Sequence, residues 1–273
     1  MTQPLPEPAA LDGITVVIPV QNRGTTLHAV VTDWMTGTAD LGREIDWIIV
    51  DDGSTDGTAM VLDSLRTAHP LLTVHRHPLP QGFGACLRTA LPTATRPLFF
   101  YTSLDYPYTP ADLKLLLKQV ETKAEMIEGD KFVDAVSGIR TGRPQPGIWK
   151  FAGGAYRLFC RIVLGSAPER ISGWLGFRNH FRSWWAWLLM GVPLTDVNCA
   201  FKLIRRPLLD RFPLQSDGDF VHAEIFAKLT FLSCLVAEVP LSPKTNVISP
   251  TNWSEFAVVL KDAHFHPAIP VTL

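Results

Sequence analysis

Cysteine is scarce, charge of either sign barely prevails, and no apolar run is long enough to cross a bilayer. The 273 residues include 4 cysteines, Cys86, Cys160, Cys199 and Cys234, far apart and in apolar surroundings. That spacing argues against a disulfide framework and reads as reduced core thiols. A formal net charge of -1 excludes bulk attraction to nucleic acid. The longest apolar run goes only from Trp184 to Leu194, about half of the ~20 residues a membrane-crossing helix needs. The proline-rich start, Met1 to Pro8, lacks the basic end and apolar block of a secretory leader, which points to the cytoplasm. Also missing are an internal repeat, a Walker or dinucleotide glycine pattern, and a zinc-ligand signature among the 8 histidines.

What is present is an acidic, glycine-punctuated turn, Asp51-Asp52-Gly53-Ser54-Thr55-Asp56-Gly57, placed directly after the apolar run Ile45 to Val50. Carboxylates at the carboxyl end of a buried strand, with glycines that let the turn close around a bound group, describe a small-molecule site on an α/β sheet. An earlier twin, Thr15 to Asn22, predicts a second parallel strand delivering its loop to the same edge. Strands are expected over 13–20, 45–50, 72–75 and 97–102, separated by helices over 25–35, from about 55 to 68, 85–91 and 111–123. That alternation predicts an α/β fold with a Rossmann-like, mostly parallel central sheet flanked by helices. Further on, strands are expected over 132–137, 195–203 and 234–239, helices over 155–164 and 220–231, and a polar, proline-broken loop over 138–147.

Charge is unevenly spread. From Arg140 to Arg211, Lys and Arg far outnumber the carboxylates Glu169, Asp196 and Asp210, so this half should carry a positive field suited to phosphates or an anionic lipid surface. Within it, Trp174, Phe177, Arg178, Phe181, Arg182, Trp184, Trp185 and Trp187 mix rings and cations. That pattern suits a peripheral membrane contact at the cytoplasmic face, with core packing or a homodimer face as competing explanations.

Pro19-Val20-Gln21-Asn22, Ile49-Val50-Asp51-Asp52-Gly53-Ser54, the stretch from Asp196 through Cys199 and Lys202 to Arg206, and Glu224 follow one another in an order that resembles the family 2 glycosyltransferases. Within that family the chain looks most like the polyprenyl-phosphate sugar synthases, the dolichyl-phosphate mannose synthase branch. The resemblance spans most of 13–240 and implies a GT-A fold, a nucleotide-diphosphate sugar donor, and inversion at the anomeric carbon. It implies a tail over 1–12, a transferase domain over 13–240 with a donor half (13–130) and an acceptor half (131–240), and an extension over 241–273. Pro19 and Asn22 match the first nucleotide loop, Asp52 with Asp51 beside it the nucleotide-contacting carboxylate, and Gly82 and Gly84 the glycines over the nucleotide. Glu224 matches the acidic residue of the helix lining the acceptor side. The expected acceptor is a polyprenyl phosphate or related lipid-linked group.

Departures from the pattern bear on the chemistry. Arg23 replaces an acidic residue after the asparagine, and Tyr101 and Ser103 stand where the two metal-binding aspartates usually stand. Cleavage of a nucleotide-sugar bond builds negative charge on the leaving diphosphate, which a divalent ion or fixed cations must stabilise. Asp105 is the candidate ligand for Mg2+ or Mn2+, against a helix-capping or solvent-facing role. Arg140, Arg143 and Lys202 are candidate phosphate clamps, as is Arg23 in the nucleotide loop; a basic loop facing water is the alternative. A sugar hydroxyl acceptor needs a base, for which Asp196, Asp217, Asp219 and Glu224 are candidates, Asp196 foremost. Two other readings follow from the same residues: a transferase acting on a soluble sugar or secondary metabolite, and a nucleotide- or sugar-binding protein without turnover.

Overall fold

The computed structural model describes residues 11–104, 108–124, 131–140, 194 and 196–242. Its elements are β1 (Gly13–Val20), α1 (Leu27–Thr38), β2 (Glu44–Asp52), α2 (Thr58–Ala68), β3 (Leu72–His77), α3 (Phe83–Ala90), β4 (Leu98–Thr102) and α4 (Pro110–Val120). Then come the short pair β5 (Lys123–Ala124) and β6 (Lys131–Phe132), β7 (Ala135–Ile139), β8 (Phe201–Arg205), the single-turn α5 (Arg206–Leu209), α6 (Val221–Phe231) and β9 (Val236–Pro240).

Seven strands form one sheet in the order β3-β2-β1-β4-β8-β7-β9. β1 pairs in parallel with both β2 and β4, β2 with β3 and β7 with β9. β8 runs antiparallel to both of its neighbours, β4 and β7. This is the mostly parallel, helix-flanked sheet the sequence predicts.

Alternation along the strands builds two cores, because successive side chains of a strand point to opposite faces. Val16, Ile18 and Phe100 join Val31 and Trp34 of α1, Leu62 and Leu65 of α2 and Leu116 of α4 on one face. Val17, Phe99 and Tyr101 join Leu87 of α3 and Ile225 and Phe226 of α6 on the other. Trp34 lies against Phe100 and Phe201, with ring centroids 5.9 and 6.1 Å apart. α4 opens as Pro110 and Asp112 predict: Asp112 Oδ2 accepts from Thr109 N at 2.9 Å and from the Thr109 hydroxyl at 2.8 Å.

The second half departs from the expected boundaries for local reasons. Phe132 joins the small β5–β6 pair through Lys123, so the main-sheet strand starts at Ala135. Gly138 and Ile139, expected in a loop, pair with Val239 and Pro240. β8 begins only at Phe201, because a turn precedes it in which Asp196 O accepts from Cys199 N at 3.2 Å. The expected helix over 155–164 and the aromatic-basic stretch lie outside the described residues, as does Cys160. Cys86 and Cys199 are buried, Cys234 is partly buried, and all three are free thiols.

Candidate active site

The turns after β1 and β2 converge because their strands are neighbours in register. Asn22 sits in the left-handed region at φ 51, a conformation asparagine tolerates better than most residues. Its backbone N–H donates to Ser54 Oγ at 2.9 Å, and its Oδ1 accepts from Thr55 N at 2.9 Å. Arg23 N donates to Thr58 Oγ1 at 2.8 Å and Gly24 N to Asp56 Oδ2 at 3.0 Å. Gln21 Nε2 reaches Asp52 O at 3.2 Å. Pro19, partly buried, is the register partner of Val50. Asp51 is buried and folds its own turn, accepting from Ser54 N at 3.1 Å. Gly53 has φ 63, and a β-carbon there would stand 2.5 Å from Pro80 N, so both conformation and space require glycine.

Asp52 is the hub. Its Oδ1 accepts from Gln81 N at 2.8 Å and from His77 Nδ1 at 2.8 Å, and its Oδ2 accepts from Gly82 N at 2.8 Å. Burial alone would raise its pKa, but the N–H groups of Gln81, His77 and Gly82 outweigh it and hold the carboxylate below its usual range. His77 Nε2 rests on Thr89 Oγ1 at 2.8 Å, and the Cys86 thiol lies 4.0 Å from His77 Nδ1. Burial first, then the charge of Asp52, pushes that thiol up to about 12.

The glycine turn is packed from its other side. A β-carbon on Gly84 would stand 2.0 Å from Ser216 O, and one on Gly82 would stand 2.6 Å from Asp217 O. Ala85 N donates to Asp217 O at 3.1 Å and Arg88 Nη1 to Ser216 O at 2.8 Å. Loop 213–218 therefore buttresses the turn, and Glu224 holds that loop. Glu224 Oε1 accepts from Gln215 N at 2.7 Å and Lys228 Nζ at 2.6 Å, and Oε2 accepts from Ser216 N at 2.8 Å. Burial pushes Glu224 up, but Lys228 and the loop N–H groups outweigh this and keep it ionised. Both of its oxygens are thus engaged inside the protein. Asp219 directly follows this loop and is exposed.

Across the sheet a polar row continues from the switch point beside β4. Tyr101, Lys202, Ser137 and Glu238 are register partners on successive strands and so share a face. Lys202 Nζ donates to Ser137 Oγ at 2.7 Å and lies 4.3 Å from the Phe226 ring centroid. Its complete burial lowers its pKa to about 8. Asp196, 2% exposed, accepts a fork from Arg140, with Nε and Nη2 each at 2.7 Å. Burial would raise Asp196, yet the Arg140 charge and hydrogen bonds outweigh it and hold it low. Arg140 and Asp196, a clamp candidate and a base candidate by sequence, are thus each other's partners. Tyr101 is fully buried, with its hydroxyl 3.2 Å from His222 Nδ1. Burial, then the charges of Lys202 and Arg140, keeps His222 well below its usual pKa. Ser103 is buried at the end of β4 and donates its N–H to Ala200 O at 3.1 Å. Asp105 and Arg143 lie outside the described residues.

Residues 15–180 match the sequence profile of glycosyl transferase family 2. The chain belongs to that family. It is a glycosyltransferase of the GT-A fold. The transferase is 24% identical over 241 residues, 83% of its chain and 76% of the relative, to polyprenol monophosphomannose synthase of Mycolicibacterium smegmatis. Its fold is similar to glucosyl-3-phosphoglycerate synthase of Mycobacterium tuberculosis solved with Mn2+, UDP-glucose and phosphoglyceric acid. That likeness has a TM-score of 0.60 at 18% identity and covers 93% of this chain and 78% of that one. The same enzyme with Mg2+ and UDP gives a TM-score of 0.60 at 17% identity, covering 91% and 75%.

These structures correct the expected branch. The solved structures named above are glucosyl-3-phosphoglycerate synthases, one of them with UDP-glucose and phosphoglyceric acid, so placement among the dolichyl-phosphate mannose synthase-like enzymes does not stand. The expected polyprenyl phosphate acceptor falls with it, while the aromatic-basic stretch on which the expected membrane contact rests lies outside the described residues. Among the described residues no helix is long and apolar enough to cross a membrane.

Two of the solved glucosyl-3-phosphoglycerate synthase structures carry Mn2+ or Mg2+ together with UDP. Among the described residues of the transferase, the group able to hold a divalent ion is Asp52, His77 and Cys86, whose ligand atoms lie within 4.8 Å of one another. With one carboxylate, already accepting three hydrogen bonds, it fits Mg2+ or Mn2+ only weakly, since those ions favour several oxygens. No local spacing in the sequence could have joined these three, because they come from β2, β3 and α3.

Proposed function

We propose that this transferase moves a hexose from a UDP-sugar to a soluble, small, phosphorylated acceptor of the phosphoglycerate class. The observation that carries the reading is the likeness, over 93% of the chain, to glucosyl-3-phosphoglycerate synthase holding UDP-glucose and phosphoglyceric acid. The transferase domain is taken as 13–240, with 13–130 serving the donor and 131–240 the acceptor.

In this reading the loops carrying Pro19, Asn22, Arg23, Asp51 and Asp52 hold the nucleotide at the carboxyl ends of β1 and β2, where open α/β sheets bind ligands. Gly82 and Gly84 let the backbone approach the donor, with Ser103 at the switch point. A divalent ion, when bound, supplies positive charge to the leaving diphosphate; Arg23 and Arg143 contribute fixed charge to the same end. A hydroxyl acceptor must lose its proton as it attacks, so a base is needed. Glu224 and Asp196 have their carboxylates taken up by internal donors, and Asp217 pairs with Arg88; Asp219, exposed and next to the loop packed against the glycine turn, is the proposed base. Arg140 orients Asp196, and Lys202 adds buried positive charge beside them.

Calorimetry with UDP-, GDP- and CDP-sugars, followed by mass spectrometry of reactions offering phosphoglycerate or unphosphorylated sugars, tests the reading. Preferential UDP-sugar binding with a glycosylated phosphoglycerate product supports it. Donor binding with product formed only on unphosphorylated acceptors refutes it.

A further inference from the structure

The cluster behind Asp52 has a chemistry different from that of a Mg2+ or Mn2+ site. It offers one carboxylate oxygen, one imidazole nitrogen and one sulfur, all within 4.8 Å of one another. His77 Nδ1 is 2.8 Å from Asp52 Oδ1 and 4.0 Å from Cys86 Sγ. Zn2+ accepts this mixed set, at about 2.0–2.2 Å from oxygen and nitrogen and about 2.3 Å from sulfur, so small side-chain shifts suffice to surround it. Outer support is already in place. Thr89 Oγ1, 2.8 Å from His77 Nε2, fixes the ring, and Gly82 N holds Asp52 Oδ2 at 2.8 Å. The donors come from β2, β3 and α3, rigid elements rather than mobile loops, which favours a preformed site.

We propose that Asp52 Oδ1, His77 Nδ1 and Cys86 Sγ form an inhibitory Zn2+ site, with water in the fourth position. His77 Nδ1 donates to Asp52 Oδ1 in the metal-free site, so it must give up its proton to take the ion. On binding, that proton passes to Nε2, which then donates to Thr89 Oγ1. The Cys86 thiol releases its proton to solvent as the Zn–S bond forms, so one proton leaves per ion and nothing is oxidised. Zn2+ takes Asp52 Oδ1 from Gln81 N, a bond of 2.8 Å. The glycine turn over the donor loop is then loosened. The metal site stands on its own geometry; only its inhibitory effect rests on reading that turn as donor-binding.

The test uses the full chain, stripped by chelator, with Co2+ as spectroscopic probe. A thiolate-to-cobalt charge-transfer band with strong visible bands of four-coordination, saturating at one equivalent and displaced by Zn2+ but not by excess Mg2+, supports the site. Thr89→Val should weaken metal binding by roughly 10–100-fold, and Cys86→Ala should abolish the charge-transfer band. No such band in the unmodified chain, or a band that survives Cys86→Ala, overturns the site. Zn2+ should also suppress donor-dependent turnover, reversibly by chelator. Saturated metal binding with unchanged turnover overturns the inhibitory half, and the spectral result remains readable if the acceptor reading itself fails.

Discussion

Removing Arg140 from Asp196 is the sharpest perturbation the geometry offers. In Arg140→Met the carboxylate, 2% exposed in the parent protein, loses both guanidinium contacts at 2.7 Å. Breaking a buried pair from one side costs roughly 3–5 kcal/mol, because a charge is left without compensation. At roughly 2–4 °C per kcal/mol for a chain of this size, the melting temperature should fall by roughly 6–20 °C. The double variant Arg140→Met with Asp196→Leu should recover much of that loss, since an apolar pair of similar volume is often as stable as the buried ion pair. The sign with pH follows from Asp196, whose folded pKa is lowered. The pair's stabilisation is present above the unfolded value near 3.8 and disappears as pH falls through the folded value. Denaturant unfolding of the four proteins in the cycle at neutral pH measures the coupling. Additivity within about 0.5 kcal/mol would refute the direct pairing.

Three further outcomes are expected. Glu224→Gln presents an amide NH2 to a loop N–H that now has an acceptor, costing about 1–3 kcal/mol by unfolding; through the loop it should raise the donor KM more than it lowers kcat, and an unchanged donor KM would separate the loop from the donor site. Asp52→Asn should lose stability above the unfolded carboxylate pKa and converge with the parent protein at acid pH, because the folded pKa of Asp52 is lowered; parallel stability curves across that range would contradict this. Asp219→Asn should reduce kcat by about 10²–10⁴-fold with the melting temperature little changed, and full turnover in this variant would remove Asp219 as the base.

Much of the edge formed by the β1 and β2 turns was legible in the chain. The runs ending in Val20 and Asp52 are strands whose alternation, length and following turn residues are local properties, and two such units predict adjacent loops. Asn22 and Gly53 could be singled out because their backbone demands are local too. The polar row was not legible: Tyr101, Lys202, Ser137 and Glu238 become neighbours only through strand order, with β8 inserted antiparallel between β4 and β7. Nor could spacing reveal that Arg140 would face Asp196 rather than a phosphate, since 56 positions separate them.

By itself the sequence determined the strand-turn-helix repeats, the acidic glycine turn and the family, because hydrophobic period and turn chemistry act over a few residues. Only the tertiary structure decided which charged groups pair with one another: Glu224 with loop 213–218, Asp196 with Arg140, and Asp52 with His77 and the glycine turn. The physical reason is that a buried charge is stabilised by whatever donors the packing of distant elements brings within hydrogen-bond reach.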